Sequence, residues 1–169
     1  MGINYKFRKA EEIIRESDPD DLKKLRGICQ EIQIAEEDLL RASEELMKKC
    51  RDGCEGLCCR NIHLDGIITL SDFVYILIVE SQIKEKARKC LKKESLFSSD
   101  CIFLKNGKGP CLFPVNSRPE KCIVTFCADE TPIRKEIRRL ASNFDKLSRF
   151  ILLRKPRVLK KMLLKMIRV

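Results

Sequence analysis

Eight of the ten cysteines in this chain of 169 residues fall into two groups, and no other feature restricts the fold as strongly. The first group is Cys50-x3-Cys54-x3-Cys58-Cys59, and the second is Cys101-x9-Cys111-x10-Cys122-x4-Cys127. A thiolate is a soft, charged ligand suited to zinc and to iron–sulfur clusters. Close spacing lets one backbone turn aim two sulfurs at one ion, and Gly53 and Gly56 supply the unusual dihedral angles such turns need. Ligand groups far apart in sequence then tie helices together around the metal, so that binding energy becomes folding energy. The alternative is a disulfide framework, which belongs to oxidising compartments. The stretch from Met1 to Lys9 has no apolar run resembling a secretory signal. No stretch reaches the roughly 18–20 apolar residues that span a bilayer. The expectation is therefore a cytoplasmic protein with metal-binding thiols.

The ordered set also carries a resemblance. A vicinal pair after spaced cysteines is followed by Cys-x-Phe-Leu, a glycine-containing turn to Cys, Arg-Pro, and a Cys beyond the proline. The matching residues are Cys54, Cys58, Cys59, Cys101, Phe103, Leu104, Cys111, Arg118, Pro119, Cys122 and Cys127. This resembles the YkgJ-like cysteine-cluster family, a zinc- or iron-chelating domain some of whose members are labelled iron–sulfur oxidoreductases. The match covers about residues 50–127. One departure is the stretch Phe113-Pro114-Val115-Asn116-Ser117, where the family tends to place an aromatic residue shortly before Arg-Pro with one residue fewer. The resemblance implies metal binding and little about chemistry.

Candidate metal ligands are thus Cys50, Cys54, Cys58, Cys59, Cys101, Cys111, Cys122 and Cys127. Eight thiolates suffice for two closed tetrahedral zinc sites. They suffice equally for one four-iron cluster with a zinc or with spare thiols. Consecutive side chains diverge, so either Cys58 or Cys59 is the odd member of a compact site. An iron–sulfur cluster, [4Fe–4S] in particular, is favoured over zinc. Cys29 and Cys90 fall on apolar helix faces and read as small buried hydrophobes. His63, the only histidine, reads as structural. Arg118 is expected to bond loop carbonyls, and Asp100, Asp129 and Glu130 to cap helices.

The remainder has helical periodicity. Residues 1–16 suit a short amphipathic helix or arm. Ser17-Asp18-Pro19-Asp20-Asp21 is a helix start, with a polar cap, proline in the first turn and acids at the positive end of the dipole. Leu22, Leu25, Cys29, Ile32, Leu39 and Leu46 then form one stripe toward Cys50, interrupted by Glu36 and Ser43. Residues 62–69 suit an extended segment. Ser71-Asp72 is expected to cap a second helix through about Lys93, and Thr131-Pro132 to start a third that Pro156 ends. Cys101–Leu104 and Cys111–Phe113 read as short strands around the turn at Asn106-Gly107-Lys108-Gly109. Ser117-Arg118-Pro119-Glu120 has the form of a capping box that sets Cys122 on a helical turn. The predicted fold is mainly α, three or four helices around an irregular cysteine-rich knot with at most a short β-hairpin. Its parts are an arm and long helix (1–49), a cysteine-cluster region (50–130) and basic helices (131–169), in one compact domain.

The charge is as uneven as the cysteines. Residues 132–169 hold 13 Lys or Arg and two acids, Glu136 and Asp145, although the whole chain is only +10. In the last stretch Leu159, Leu163 and Met166 interleave with Lys160, Lys161, Lys165 and Arg168, a basic amphipathic pattern suited to a groove. An acidic protein surface or larger complex is the expected partner. Nucleic acid ranks lower because stacking aromatics are missing there, and an anionic membrane surface ranks with it. No phosphate-cradling glycine loop, carboxylate pair or nucleophile motif is present, so no catalytic residues are assigned and a binding role is favoured over an enzyme. The functional expectation is a redox- or oxygen-responsive accessory metalloprotein. The alternative is an electron-transfer, cluster-delivery or metal-dependent enzyme component acting directly on a substrate.

Overall fold

The computed structural model describes residues 1–46, 59, 62–92, 101–105, 110–126 and 129–154. It is mainly helical, as the periodicity requires. The elements are α1 (Ile3–Glu16), α2 (Pro19–Ala42), α3 (Leu64–Ile67), α4 (Leu70–Val79), α5 (Lys84–Leu91), α6 (Glu120–Val124) and α7 (Arg134–Arg154).

Helix α4 is the axis of the core. Its sequence, LSDFVYILIV, is apolar on every side, and residues 70–77 are all buried. A helix without a polar face must be enclosed by others. Helix α1 covers one side, and α2 and α7 cover the rest. Phe73 meets Phe7 of α1 edge-on at 5.3 Å and faces Phe103 at 6.4 Å. Phe103 in turn packs on Phe113 at 4.7 Å, and Tyr75 meets Phe144 of α7 at 5.4 Å. This aromatic chain attaches the second cysteine group to the helical core.

Helices α2 and α7 form an antiparallel pair. Asp38 bonds Arg139 at 2.5 Å, Glu31 bonds Lys146 at 2.6 Å, and Asp21 lies 3.6 Å from Arg154. As the α2 numbers fall the α7 numbers rise, and Leu140, Phe144, Leu147 and Ile151 are buried beneath the seam. Part of the basic excess thus faces acids within the same chain. Such exposed pairs each contribute at most about 1 kcal/mol, so the apolar stripe, not the charge, holds the helices together. Among the described residues no helix is long and apolar enough to cross a membrane.

Several local expectations are corrected by tertiary contacts. Helix α2 begins where predicted, with Asp18 accepting the Asp21 N–H at 2.8 Å, but it ends at Ala42. The segment 62–69 contains the single turn α3 in place of an extended strand. Two residues of α1 fix it: the Ile3 N–H donates to Asp65 Oδ1 at 2.5 Å, and Lys6 Nζ donates to the Asp65 and Ile68 carbonyls at 2.6 Å each. The second long helix is two helices. Thr69, not Ser71, caps α4, and the chain leaves helical geometry at Glu80 before a 3-10 turn at Ser81–Ile83 and then α5. The third starts with a 3-10 turn at Thr131–Ile133, with Asp129 accepting from the Thr131 N–H as expected of a cap.

The interruptions of the α2 stripe have a structural role. Glu36 is fully buried, and Tyr75 Oη of α4 donates to its Oε2 at 2.6 Å. Burial pushes the Glu36 carboxyl from 4.5 up to about 8, although Tyr75 and Arg118 pull it down. A carboxyl with a raised folded-state value holds its proton in the native state after the unfolded chain has lost it. Its contribution is complete below about pH 4.5 and is lost as pH rises toward 8. Urea midpoints should therefore fall across this window, as the unfolding free energy drops by an amount on the order of a few kcal/mol. Glu36→Gln should flatten the slope, and a wild-type midpoint independent of pH there would contradict the assignment.

Candidate metal centre

Four of the eight predicted ligands, Cys59, Cys101, Cys111 and Cys122, belong to the described residues. They come from both cysteine groups, and they lie near enough for Cys122 to be influenced by the other three and Cys101 by Cys59 and Cys111. The Cys101 N–H donates to the Cys59 carbonyl at 2.9 Å, which joins the two cysteine groups directly through the backbone. Leu104 and Cys111 form one antiparallel bridge, with Leu112 N–H donating to the Phe103 carbonyl at 2.8 Å and Lys105 N–H to that of Pro110 at 3.1 Å. The predicted strands thus amount to a single bridge, and the turn at 106–109 lies outside the described residues.

Cys122 rides the first turn of α6, as predicted, but the capping differs. Ser117 Oγ is buried without a partner. The N–H of Glu120 donates to Asp72 Oδ1 at 2.8 Å, while Asp72 Oδ2 accepts from the Thr69 N–H and hydroxyl at 2.7 Å each. One buried carboxylate therefore caps α4 and fixes the start of α6. Asp72 looked in sequence like an ordinary cap residue, and nothing local marked its second partner 48 residues away.

The thiols sense one another. Cys101 is pushed up to about 11, chiefly by burial, with the neighbouring Cys111, Cys59 and Cys90 sulfurs contributing in the same direction. Burial raises Cys122 as well, with Cys101, Cys111, Asp72 and Cys59 all adding to the shift. Two backbone groups oppose this. The Phe103 N–H favours the Cys101 thiolate, and the Phe113 N–H does the same for Cys111, where Arg118 also helps. The repeated Cys-x-Phe is the sequence signal for this arrangement. In each copy the Phe enters the core and its N–H serves the sulfur two residues earlier. Buried thiols with N–H groups directed at sulfur suit a bound cation, whose charge offsets the desolvation of thiolates.

Among the described residues no three Cys, His, Asp or Glu side chains form a group that could hold a metal ion. Cys50, Cys54, Cys58 and Cys127 lie outside those residues, as do Leu159, Lys160, Lys161, Leu163, Lys165, Met166 and Arg168 of the predicted partner-binding stretch, Pro156 and Asp100. Cys29 is buried in the core and its thiol is pushed up to about 12 by burial. Cys90 is half-buried on α5 and belongs to the surroundings of Cys101. His63 is exposed at the start of α3. Arg118 sits between Glu36 and Cys111, influencing both, and its Nε has no hydrogen-bond partner.

Because Phe103 anchors the Cys101 segment, Phe103→Ala should destabilise the protein by about 3–5 kcal/mol. Metal-free protein carrying it should also show faster alkylation of Cys101, measured by mass spectrometry of labelled peptides. An unchanged alkylation rate with lowered stability would separate the anchor from the thiol site. Compared with known proteins, the chain matches no family model, no curated protein and no solved structure.

Proposed function

We propose that this chain is a small cytoplasmic cysteine-cluster metalloprotein, with an iron–sulfur cluster favoured over zinc, acting as a redox- or oxygen-responsive accessory protein on a larger enzyme or assembly. The observation that supports the reading is the influence among Cys59, Cys101, Cys111 and Cys122, drawn from both cysteine groups, with the Phe103 and Phe113 N–H groups favouring thiolates. Cys50, Cys54, Cys58 and Cys127 would complete the ligand set. The bound metal would supply positive charge and, as a cluster, one-electron chemistry. The protein's part is to hold the sulfurs and to limit water around them. Loss of an oxidised cluster would loosen the segments it ties together, which is how redox state would reach a partner. The Cys122 residue is exposed, although its thiol is hemmed in enough by protein to be raised by desolvation. That exposure favours a second reading, electron transfer or cluster delivery, which needs an accessible site.

The test is elemental analysis and absorption of anaerobically purified protein. A brown protein absorbing near about 400 nm supports the cluster, and a colourless one with stoichiometric zinc supports the alternative metal. Cys58→Ser and Cys122→Ser should each lower metal content and helical signal together, because the metal staples both segments. Cys29→Ala should leave the metal unchanged and cost at most a few kcal/mol of packing. Full metal retention by both serine variants would sink the ligand assignment.

For the basic stretch, a chain truncated after Lys155 should keep its metal and lose its partner in pull-downs. Binding by the full chain should weaken with salt, since the screening length falls from about 10 Å at 0.1 M to about 3 Å at 1 M. Loss of metal or of the fold on truncation would assign residues 156–169 to the core instead.

A further inference from the structure

The buried pair Glu36–Tyr75 has a third member. Tyr75 Oη lies 2.6 Å from Glu36 Oε2 and 3.2 Å from the main-chain carbonyl oxygen of Asn116. A phenol has one hydrogen, so it cannot satisfy both acceptors fully. When Glu36 is ionised it takes that hydrogen, because a charged acceptor at short range wins. The Asn116 carbonyl then faces the phenol's lone pairs. When Glu36 carries a proton, its own O–H can donate to Tyr75 Oη. The phenol hydrogen is released to the Asn116 carbonyl, and both contacts become hydrogen bonds. Glu36 and Tyr75 are both fully buried, so water does not compete at the carboxyl or the phenol, while the Asn116 end is part-buried.

We infer that Glu36, Tyr75 and the Asn116 carbonyl form a two-position hydrogen-bond switch, which ties the 114–118 turn to α4 when Glu36 is protonated and releases it when Glu36 ionises. The turn closes through Ser117 N–H to the Pro114 carbonyl at 3.2 Å and leads into Arg118. It connects Cys111 to Cys122, so its hold on α4 bears on where those two thiols sit, whether or not they bind metal. The charged surroundings set the direction. Asp72 of α4 and Glu37 of α2 favour the proton on Glu36, and Arg118 beside the turn opposes it. Tyr75 also faces Cys29 of α2 and Glu80 at the end of α4, and α7 sets the Phe144 ring against it. With the Glu36 carboxyl held up to about 8, the switch would turn over near neutral pH.

The test is a carbon-13 NMR titration of the full chain from about pH 5 to about pH 9. The Glu36 carboxyl carbon, the Tyr75 ring carbon bearing oxygen and the Asn116 carbonyl carbon should move together with one shared midpoint. A deuterium isotope shift from the phenol should be present at the Asn116 carbonyl at acid pH and lost at alkaline pH. In Tyr75→Phe the Asn116 response should vanish while Glu36 still titrates, which distinguishes the switch from a through-space effect of the Glu36 charge. The inference is overturned by a Glu36 carboxyl that titrates at an ordinary carboxylate pH. An Asn116 carbonyl that stays flat in the wild type, or an isotope shift that does not change with pH, overturns it equally. These readouts come from the wild-type chain and decide the matter even if Tyr75→Phe does not fold.

Discussion

Helix α4 has no face that water can wet, and it also carries three groups that cannot be left without partners: Ser71, Asp72 and Tyr75. Enclosing the helix removes apolar surface from water, worth roughly 25 cal/mol per Å². Enclosing the polar groups costs free energy unless each finds a hydrogen bond. Each of the three is answered by a different part of the chain. Ser148 of α7 donates to Ser71 at 2.9 Å, the N–H at the start of α6 donates to Asp72, and Glu36 of α2 accepts from Tyr75. The same residues that make α4 expensive to bury therefore specify what must surround it.

Asp72 shows how this reaches the thiols. Its carboxylate accepts from Thr69 on one oxygen and from Glu120 on the other, so the helix that carries Cys122 is aligned by a residue of the core. Phe103 and Phe113 do the corresponding work for Cys101 and Cys111 by burying their rings two residues beyond each thiol. The candidate site is thus attached to the helices at several independent points, none of which involves a cysteine side chain.

The helices were legible because apolar stripes and the Asp18-Pro19 start are local signals, and α1, α2 and α7 lie close to where periodicity puts them. The break at Glu80 and the turn at Leu64–Ile67 were not; the turn answers to a distant segment, with Lys6 and the Ile3 N–H holding it from α1. The role of Glu36 was half visible, as a polar residue on an apolar stripe, but its partner Tyr75 could not be read from a one-dimensional pattern. For the site, spacing grouped the cysteines, and the structure shows one backbone hydrogen bond between the two groups, from Cys101 N–H to the Cys59 carbonyl. The service of the Phe103 and Phe113 amides to sulfur was hidden behind an ordinary strand reading.

The antiparallel seam of α2 and α7 joins residues more than 100 positions apart, such as Glu31 with Asn143 and Lys146. Closing it loops out the whole cysteine-bearing stretch, and the entropy of that closure must be met before the seam returns any energy. On a ribosome, α2 emerges long before its partner and leaves its apolar stripe uncovered until α7 follows. Nascent chain would spend that interval with α2 and α4 incompletely enclosed, exposed to other hydrophobic surfaces. Early formation of the backbone bond between the Cys59 and Cys101 segments would shorten the loop that remains to be closed, making the order in which these segments meet a determinant of folding rate.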